Sequence, residues 1–249
     1  MRFFKPDVAP FRLTSLDQRQ RLFADAGASA MLVFEFDAGL AATTAEDFVA
    51  KLLVERFGAA GVVTGADFTF GQGAKGNIDL LREVGAAHGL KSEAVSPISD
   101  SDDVISSSRI RKALKEGLCE EANRLLTRPF AIRGEVIHGD KNGRILGYPT
   151  ANIDIGEYLR PKYGIYAVKG LLPDGRVLKG AANLGIRPSF DPPKELLEPF
   201  FFDFAEDLYG QTIEVELHHF LRGEQKFDDL DALKVQMEKD CDKARELLA

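Results

Sequence analysis

The stretch from Gly134 to Asn152 reads GEVIHGDKNGRILGYPTAN and gives the strongest fold signal in the second half of the chain. Four of its glycines fall within residues 134–147. Glycines let the backbone approach a bulky ligand and point N–H groups at phosphate oxygens. A glycine-rich β-bulge with turn residues would explain the glycines alone equally well, so both interpretations stay open.

The end of this stretch, Pro149-Thr150-Ala151-Asn152, is harder to explain as a turn. Thr150 and Asn152 lie two positions apart after a rigid proline, so in an extended segment their side-chain oxygens face the same side. Mg²⁺ takes few protein oxygens and keeps phosphate and water as its other ligands. We therefore predict that Thr150 and Asn152 are metal ligands.

The surrounding sequence predicts a β domain with a helical tail. Short segments rich in β-branched and aromatic residues are joined by turns such as Pro173-Asp174-Gly175, a pattern typical of an antiparallel barrel or sandwich. Residues 227–248 carry apolar side chains at three- and four-residue intervals, which predicts an amphipathic helix packed on the β domain. The predicted strands are 130–137, 165–172, 176–182, 199–204 and 212–220.

The pattern G-x-V-x-H-G-x-x-x-G-R-x-L-G-x-P-T-A-N resembles the nucleotide-binding segment of bacterial riboflavin kinases. Four further blocks resemble the rest of that family in the same order, so the resemblance covers residues 128–249. It implies a small Greek-key β-barrel with a C-terminal helix, which transfers the γ-phosphate of ATP to riboflavin and gives FMN. The blocks are GIYAV from 164, NLGIRPSF from 183, DLYG from 207 and LRGEQKF from 221.

The resemblance also implies roles for individual residues. Thr150 and Asn152 would hold Mg²⁺ and the phosphates. The flavin contacts implied by block position are Gly185, Arg187 and Arg222. The remaining residues implied to bind ATP are His138, Gly139, Gly143, Arg144, Gly147 and Pro149.

Glu198 stands where the family keeps its catalytic carboxylate, which would take the proton from the 5′-hydroxyl of riboflavin. Phosphoryl transfer needs a carboxylate within hydrogen-bond reach of the attacking hydroxyl, so the role is chemically sound. Without the family context, Glu198 would be interpreted as a solvated charge at the start of a strand. Pro199 lacks the N–H that a ladder uses, so we expect the strand to begin one or two residues after Glu198.

The first half of the chain alternates helices with short apolar strands. Ser15 and Gln18 form a capping-box pattern, Thr44 is a second helix cap, and a third helix is predicted over 79–88. The predicted strands are 30–36, 61–65 and 92–98. Buried strands separated by helices indicate a parallel sheet covered on both faces. We place the boundary between an α/β domain, 1–127, and the β domain, 128–249.

Two blocks in this half resemble FMN adenylyltransferases, Rossmann-like nucleotidyltransferases that are commonly fused in front of the bacterial kinase. GADFTFG, from Gly65, matches one block, and ISSSRIR, from Ile105, matches another that usually has Thr where Ser108 stands. A plain loop and a plain helix cap would also explain them separately. The adenylyltransferase residues implied are Asp67, Phe68, Phe70, Ser106, Ser107, Ser108 and Arg111.

The histidines conflict with a complete adenylyltransferase domain. The chain has four, His88, His138, His218 and His219, and none forms the H-x-G-H motif with which that family opens. We therefore expect an N-terminally truncated adenylyltransferase domain, which would leave an apolar sheet edge exposed, and no adenylyl transfer. The same-class alternative is a full bifunctional FAD synthetase whose true start lies upstream.

The composition narrows the remaining function classes. The chain has 249 residues with 32 Lys and Arg against 39 Asp and Glu, a net charge of −7, which disfavours nucleic-acid binding. Its two cysteines are far apart and no long apolar segment occurs, which indicates a soluble protein of a reducing compartment. We expect a cytoplasmic protein with small-molecule substrates and no membrane partner, and self-association stays open.

These observations favour a riboflavin kinase that uses ATP, riboflavin and Mg²⁺ and produces FMN. A non-catalytic protein that binds flavin or nucleotide on a kinase-like barrel is the alternative from a different class. A binding module would have no need of a base, so the combination of Thr150, Asn152 and Glu198 favours the enzyme.

Overall fold

A computed structural model of the chain describes residues 7–101, 103–138, 147–187, 194–227 and 229–249. These residues form two compact units. The first contains residues 7–8 and Leu32–Ile105, and the second contains Ala9–Met31 and Ser106–Ala249. The two units are defined by which residues pack together, and they do not test the boundary proposed from the sequence. The domain boundary between residues 127 and 128 therefore stays a prediction.

The first unit is a small α/β assembly. Strands β1 and β2 pair in parallel, with Gly61 opposite Lys91. Thr44 caps the α3 helix by accepting a hydrogen bond from the Asp47 backbone N–H, as the sequence predicts. In chain order the elements are α2 (Ala38–Ala42), α3 (Ala45–Asp47, continued as a π-helix over Phe48–Arg56), β1 (Gly61–Gly65), a 3₁₀ turn (Gln72–Ala74), α4 (Ile78–Ala87) and β2 (Lys91–Val95).

The prediction of a strand over residues 30–36 is wrong. Phe34 packs on the Phe57 ring at a centroid distance of 5.2 Å, while Leu32 is 66% exposed. A β-strand needs a hydrogen-bonding neighbour, and within the described residues the parallel sheet consists of β1 and β2 alone. Strand β2 also ends at Val95, three residues earlier than predicted, and Ile98 is exposed.

The second unit is built around a closed barrel of six antiparallel strands, in the order β3-β4-β7-β6-β5-β8. The non-sequential order is that of the predicted Greek-key barrel with its C-terminal helix. Inward side chains such as Ile132, Ile153 and Leu197 are fully buried and form the barrel core. The strands are β3 (Phe130–Ile137), β4 (Asn152–Asp154), β5 (Gly164–Leu171), β6 (Val177–Arg187), β7 (Lys194–Phe201) and β8 (Thr212–Gly223).

One sequence-based expectation about these strands needs correction. Strand β7 begins at Lys194, so Glu198 lies in its middle and not before its start. The backbone N and C=O of one strand residue point to the same side of the strand. The Pro199 C=O accepts a hydrogen bond from the N–H of Ala151, the residue before β4, so the Pro199 nitrogen also faces away from β6. The missing N–H therefore removes no bond between β6 and β7.

Helices cover the outside of the barrel. In helix α7 (Leu230–Leu247), Cys241 and Ala244 pack with Ala167 and Ala181 of the barrel. Helices α5 (Ser107–Glu116) and α6 (Cys119–Leu126) precede β3, and Asn123 accepts a hydrogen bond from the Phe130 N–H. Within the described part of the chain, no helix is long and apolar enough to cross a membrane.

Helix α1 (Leu16–Asp25) is part of the barrel unit, although it is distant in sequence. Ser15 and Gln18 form the predicted capping box. Gln18, only 3% exposed, also donates to the Ala131 carbonyl at 3.2 Å and accepts from the Tyr158 hydroxyl at 2.6 Å. One glutamine side chain thus joins α1, β3 and the segment after β4.

We expect Gln18→Ala to destabilise the second unit by about 1–3 kcal/mol, because the buried Ala131 carbonyl loses this donor and the Tyr158 hydroxyl loses this acceptor, while the Arg133 N–H still donates to that hydroxyl. All five tyrosines lie in this unit and the chain has no tryptophan, so tyrosine fluorescence in a urea titration reports its unfolding. Gln20→Ala, at an exposed position of the same helix, is the matched control. Equal midpoints for the two variants would show that the Gln18 contacts do not stabilise the unit.

Candidate kinase site

Three polar residues stand next to one another on neighbouring barrel strands. Asn183 of β6 is opposite Glu198 of β7. Ile153 is opposite Leu197, and the Ala151 N–H donates to the Pro199 carbonyl at 3.0 Å, so the same register puts Asn152 beside Glu198. The ladder therefore brings a predicted metal ligand next to the predicted catalytic carboxylate.

Strand alternation explains why this row faces outward. Ile153, Leu197 and Leu184 form the adjacent row and are fully buried inside the barrel. Neighbouring positions point to the opposite face, so the polar row lies on the outer face. Ala181, two residues before Asn183, contacts α7 on that same face, so the helix flanks the site.

Glu198 is half-buried and held in place by Asn183. The Asn183 side-chain amide donates to Glu198 Oε2 at 3.3 Å. A carboxylate fixed by an amide keeps further lone pairs that can accept a proton from a hydroxyl. The sequence did not single out Asn183, because its contact with Glu198 depends on the register of two strands fifteen residues apart.

The Pro149–Ala151 segment borders a cavity of about 150 Å³ at the barrel end. His138 stacks on Tyr209, which lines the same cavity, at a ring centroid distance of 3.9 Å. The structure thus brings His138, Pro149 and Thr150 to one region. The other lining residues are Val136, Ala151, Pro199, Phe201, Phe204, Ala205, Glu206, Asp207 and Leu208.

Thr150 and Asn152 suit Mg²⁺ by their chemistry. Thr150 lines the cavity, Asn152 is 6% exposed, and both present oxygen atoms of the kind that hard cations prefer. No cluster of three or more His, Cys, Asp or Glu that could hold a metal occurs among the described residues.

Several predicted site residues are only partly covered by the structure. Gly139, Gly143 and Arg144 lie outside the described residues. Arg187 is the last residue of β6, and its side chain is likewise not described. Gly147 adopts φ +87°, a conformation that favours glycine, at the start of the segment leading to Thr150.

Gly185 and Arg222, the two other predicted flavin contacts, lie on the outer face near the polar row. Gly185 follows Asn183 by two residues and shares its face. Arg222 of β8 is opposite Ile165, which is opposite Asn183. The Arg222 guanidinium is bound by Asp240 of α7, with Nη2 to Oδ2 at 2.7 Å, a buried ion pair that the sequence did not reveal.

A second carboxylate on β7, Glu195, forms a network of its own. Arg160 donates to it at 2.7 Å and Tyr163 donates to its other oxygen. These hydrogen bonds, chiefly from Arg160, hold the pKa of Glu195 below its ordinary value. Burial and the adjacent Glu195 raise the pKa of Tyr163 to about 12.

In the first unit, the residues predicted from GADFTFG follow the end of β1. Phe70 is 6% exposed and packs on Phe48 at 5.2 Å and on Phe68 at 5.5 Å. Asp67 is exposed, and its carboxylate folds back towards Gly65. Phe70 is therefore a core residue, while Asp67 is exposed at the carboxyl end of a parallel strand, where α/β sheets bind ligands.

The residues predicted from ISSSRIR form the start of α5 in the second unit. Ser106 caps the helix by accepting from the Arg109 N–H at 3.3 Å, and Ser107 and Ser108 are exposed in its first turn. The Arg111 guanidinium donates to the Phe11 carbonyl at 2.9 Å. The plain-cap interpretation thus describes Ser106 in this structure, and Arg111 has a structural partner.

Comparison with protein families gives two matches that together cover most of the chain. The riboflavin kinase family matches residues 126–248, and the FAD synthetase family matches residues 1–109. The FAD synthetase match does not support the expectation of a truncated adenylyltransferase domain. The doubt about adenylyltransferase activity is not borne out either.

Several named proteins are similar over nearly the whole chain. The bifunctional riboflavin kinase/FMN adenylyltransferase of Escherichia coli K12 is 39% identical over 246 residues, covering 99% of this chain and 79% of that protein. The Haemophilus influenzae protein of the same name is 37% identical, covering 98% and 79%. A solved structure described as a macrolide-efflux protein from Streptococcus pneumoniae has a TM-score of 0.83 at 31% identity, covering 94% of this chain and 76% of that one. The chain belongs to the bifunctional riboflavin kinase/FMN adenylyltransferase family.

Proposed function

We propose that this protein phosphorylates riboflavin with ATP to give FMN, and then transfers an adenylyl group from a second ATP to FMN to give FAD and diphosphate. The observation that carries the kinase assignment is the row of Asn152, Glu198 and Asn183 beside the Pro149–Ala151 segment. The second activity is supported by the FAD synthetase match and by the names of the relatives. This bifunctional assignment replaces the kinase-only interpretation.

In the kinase reaction, Glu198 would accept the proton of the riboflavin 5′-hydroxyl as the hydroxyl oxygen attacks the γ-phosphorus of ATP. The bond from that phosphorus to the β,γ-bridging oxygen breaks, and ADP leaves. Asn183 would hold the carboxylate towards that hydroxyl. Thr150 and Asn152 would hold Mg²⁺, which supplies positive charge to the phosphates when bound. Positioning and charge stabilisation of this kind account for most catalysis of phosphoryl transfer.

For the adenylyl transfer we propose contacts within the two matching blocks. Asp67 and Phe68 would contribute from the segment after β1. The roles implied for Ser107 and Ser108, which lie in the first turn of α5 in the second unit, stay predictions of the resemblance. The cytoplasmic location and self-association stay predictions.

The test is a chromatographic time course of the protein with riboflavin, ATP and Mg²⁺, resolving riboflavin, FMN and FAD. We expect FMN to accumulate first and FAD to follow. A parallel reaction started with FMN isolates the second step. FMN without FAD in both reactions would reject the adenylyl transfer, and bound flavin without any product would favour the non-catalytic alternative.

A further inference from the structure

The chain that follows β8 passes over the outer face of the barrel next to the polar row. Gly223 is opposite Gly164 of β5, and Gly164 is opposite Leu184 of β6. From this position Glu224 extends across β5, and its carboxylate Oε1 occupies the space that a Cβ on Gly185 would fill. The Asn183 amide nitrogen lies 3.5 Å from the same point.

The Glu224 carboxylate therefore packs directly on the backbone of Gly185. Its φ lies outside the left-handed region, so its backbone is open to any residue. What the position requires is the absence of a side chain, because that absence lets the carboxylate reach the strand. The amide of Asn183, which binds Glu198, thus has a second carboxylate close by.

An ion pair fixes the start of this segment. Asp240 holds the guanidinium of Arg222, and the same guanidinium donates from Nη1 to the Gly223 carbonyl at 3.0 Å. It also lies 5.8 Å from the centre of the Phe227 ring. Both ends of the segment that carries Glu224 therefore contact one half-buried arginine.

The Glu224 carboxylate is available to a ligand. Among the residues that the structure describes, Glu224 makes no hydrogen bond or ion pair, and its side chain is exposed. An ionised carboxylate accepts hydrogen bonds and donates none, so its partner must carry donors. The acceptor substrate of the proposed kinase carries such donors as the hydroxyls of its polyol chain.

We propose that Glu224 is a specificity-determining residue of the kinase, which binds the internal hydroxyls of the polyol chain of the flavin substrate. The inference rests on the proposed function, with the terminal hydroxyl at Glu198. The part of a flavin next to that hydroxyl is the polyol chain, while the imide N–H of the ring lies at the far end of the molecule. A carboxylate that lies near the Asn183 amide, which binds Glu198, therefore faces the chain and not the ring.

The test compares riboflavin with a flavin whose N10 chain keeps only the terminal hydroxyl. We expect Glu224→Gln to raise the KM for riboflavin about tenfold with kcat changed by less than about threefold, since it removes binding that is uniform along the reaction. The ratio of kcat/KM for riboflavin to kcat/KM for the analogue should fall about tenfold in Glu224→Gln, because the variant loses its contacts with the internal hydroxyls, which only riboflavin carries. Glu246→Gln, which removes an exposed carboxylate paired with Lys243 on α7, is the control and should match the unaltered protein.

Gly185→Ala tests the same contact from the other side. The added Cβ meets the mobile end of the Glu224 side chain, so we expect the fold to survive and the preference to fall as in Glu224→Gln. If Gly185 acts through Glu224, the double variant should be no worse than either single variant. Additive losses, or an unchanged preference in Glu224→Gln, would overturn the proposal.

Equilibrium titration of flavin fluorescence separates this proposal from the proposed function. If the unaltered protein forms no FMN, the kinase assignment fails. Glu224 would still be supported as the contact to the polyol chain if Glu224→Gln binds riboflavin about tenfold more weakly than the unaltered protein does but binds the analogue with the same affinity. Equal weakening for riboflavin and the analogue would reject it.

Discussion

Replacing Glu198 with Gln is expected to lower the rate of FMN formation by roughly 10²–10⁴-fold, the range for loss of a general base. Glutamine keeps the size of the side chain and an oxygen that can accept the Asn183 hydrogen bond. It cannot take up the proton of the attacking hydroxyl. The KM for riboflavin should therefore change little, while kcat falls, in steady-state assays of FMN formation.

The control for this variant is Glu216→Gln on β8, where the carboxylate pairs with His218 of the same strand. It removes the same charge from the barrel and should leave kcat unchanged. FMN formation at the ordinary rate by Glu198→Gln would show that another group takes the proton. A fall in FAD formation from supplied FMN would instead show that Glu198→Gln disturbs the whole protein.

The sequence predicts candidate residues of the kinase site but not their arrangement. Thr150 and Asn152 were predicted from their spacing and from the resemblance, and Glu198 from the resemblance, yet Asn152 and Glu198 meet because β4 pairs with β7. Strand β4 is three residues long, which is too short for an alternation pattern to be recognised. The contacts of Asn183, Glu224 and Asp240 depend on strand register and helix packing, which one sequence does not encode locally.

The error in the first half has a different cause. The apolar run over residues 30–36 has the composition of a buried strand, but composition does not supply a hydrogen-bonding partner. Capping signals were more reliable: Ser15 and Thr44 cap helices at the predicted positions, and Ser106 caps α5 as the alternative interpretation of that block had it. A cap satisfies N–H groups two or three residues away, so the local sequence contains all the information needed.

Replacing Asp240 with Ala is expected to destabilise the second unit by about 3–5 kcal/mol, the usual cost of removing one partner of a buried ion pair. Asp240 is 7% exposed and receives hydrogen bonds from Arg222 at 2.7 Å and from Gln236 at 2.9 Å. Its loss leaves the Arg222 guanidinium largely buried without a countercharge. Tyrosine fluorescence during urea unfolding reports this change, because all five tyrosines lie in the second unit.

The double variant Arg222→Met with Asp240→Leu separates stability from function. Well-packed apolar residues in place of a buried pair are often neutral or stabilising, so we expect most of the lost stability to return. The Gly223 carbonyl and Phe227 lose their contacts with the guanidinium, however, so Glu224 is no longer held over Gly185. We therefore expect the double variant to be stable but to have a KM for riboflavin about tenfold above that of the unaltered protein, as for Glu224→Gln. An ordinary KM in the double variant would show that the ion pair serves only to hold α7 on the barrel.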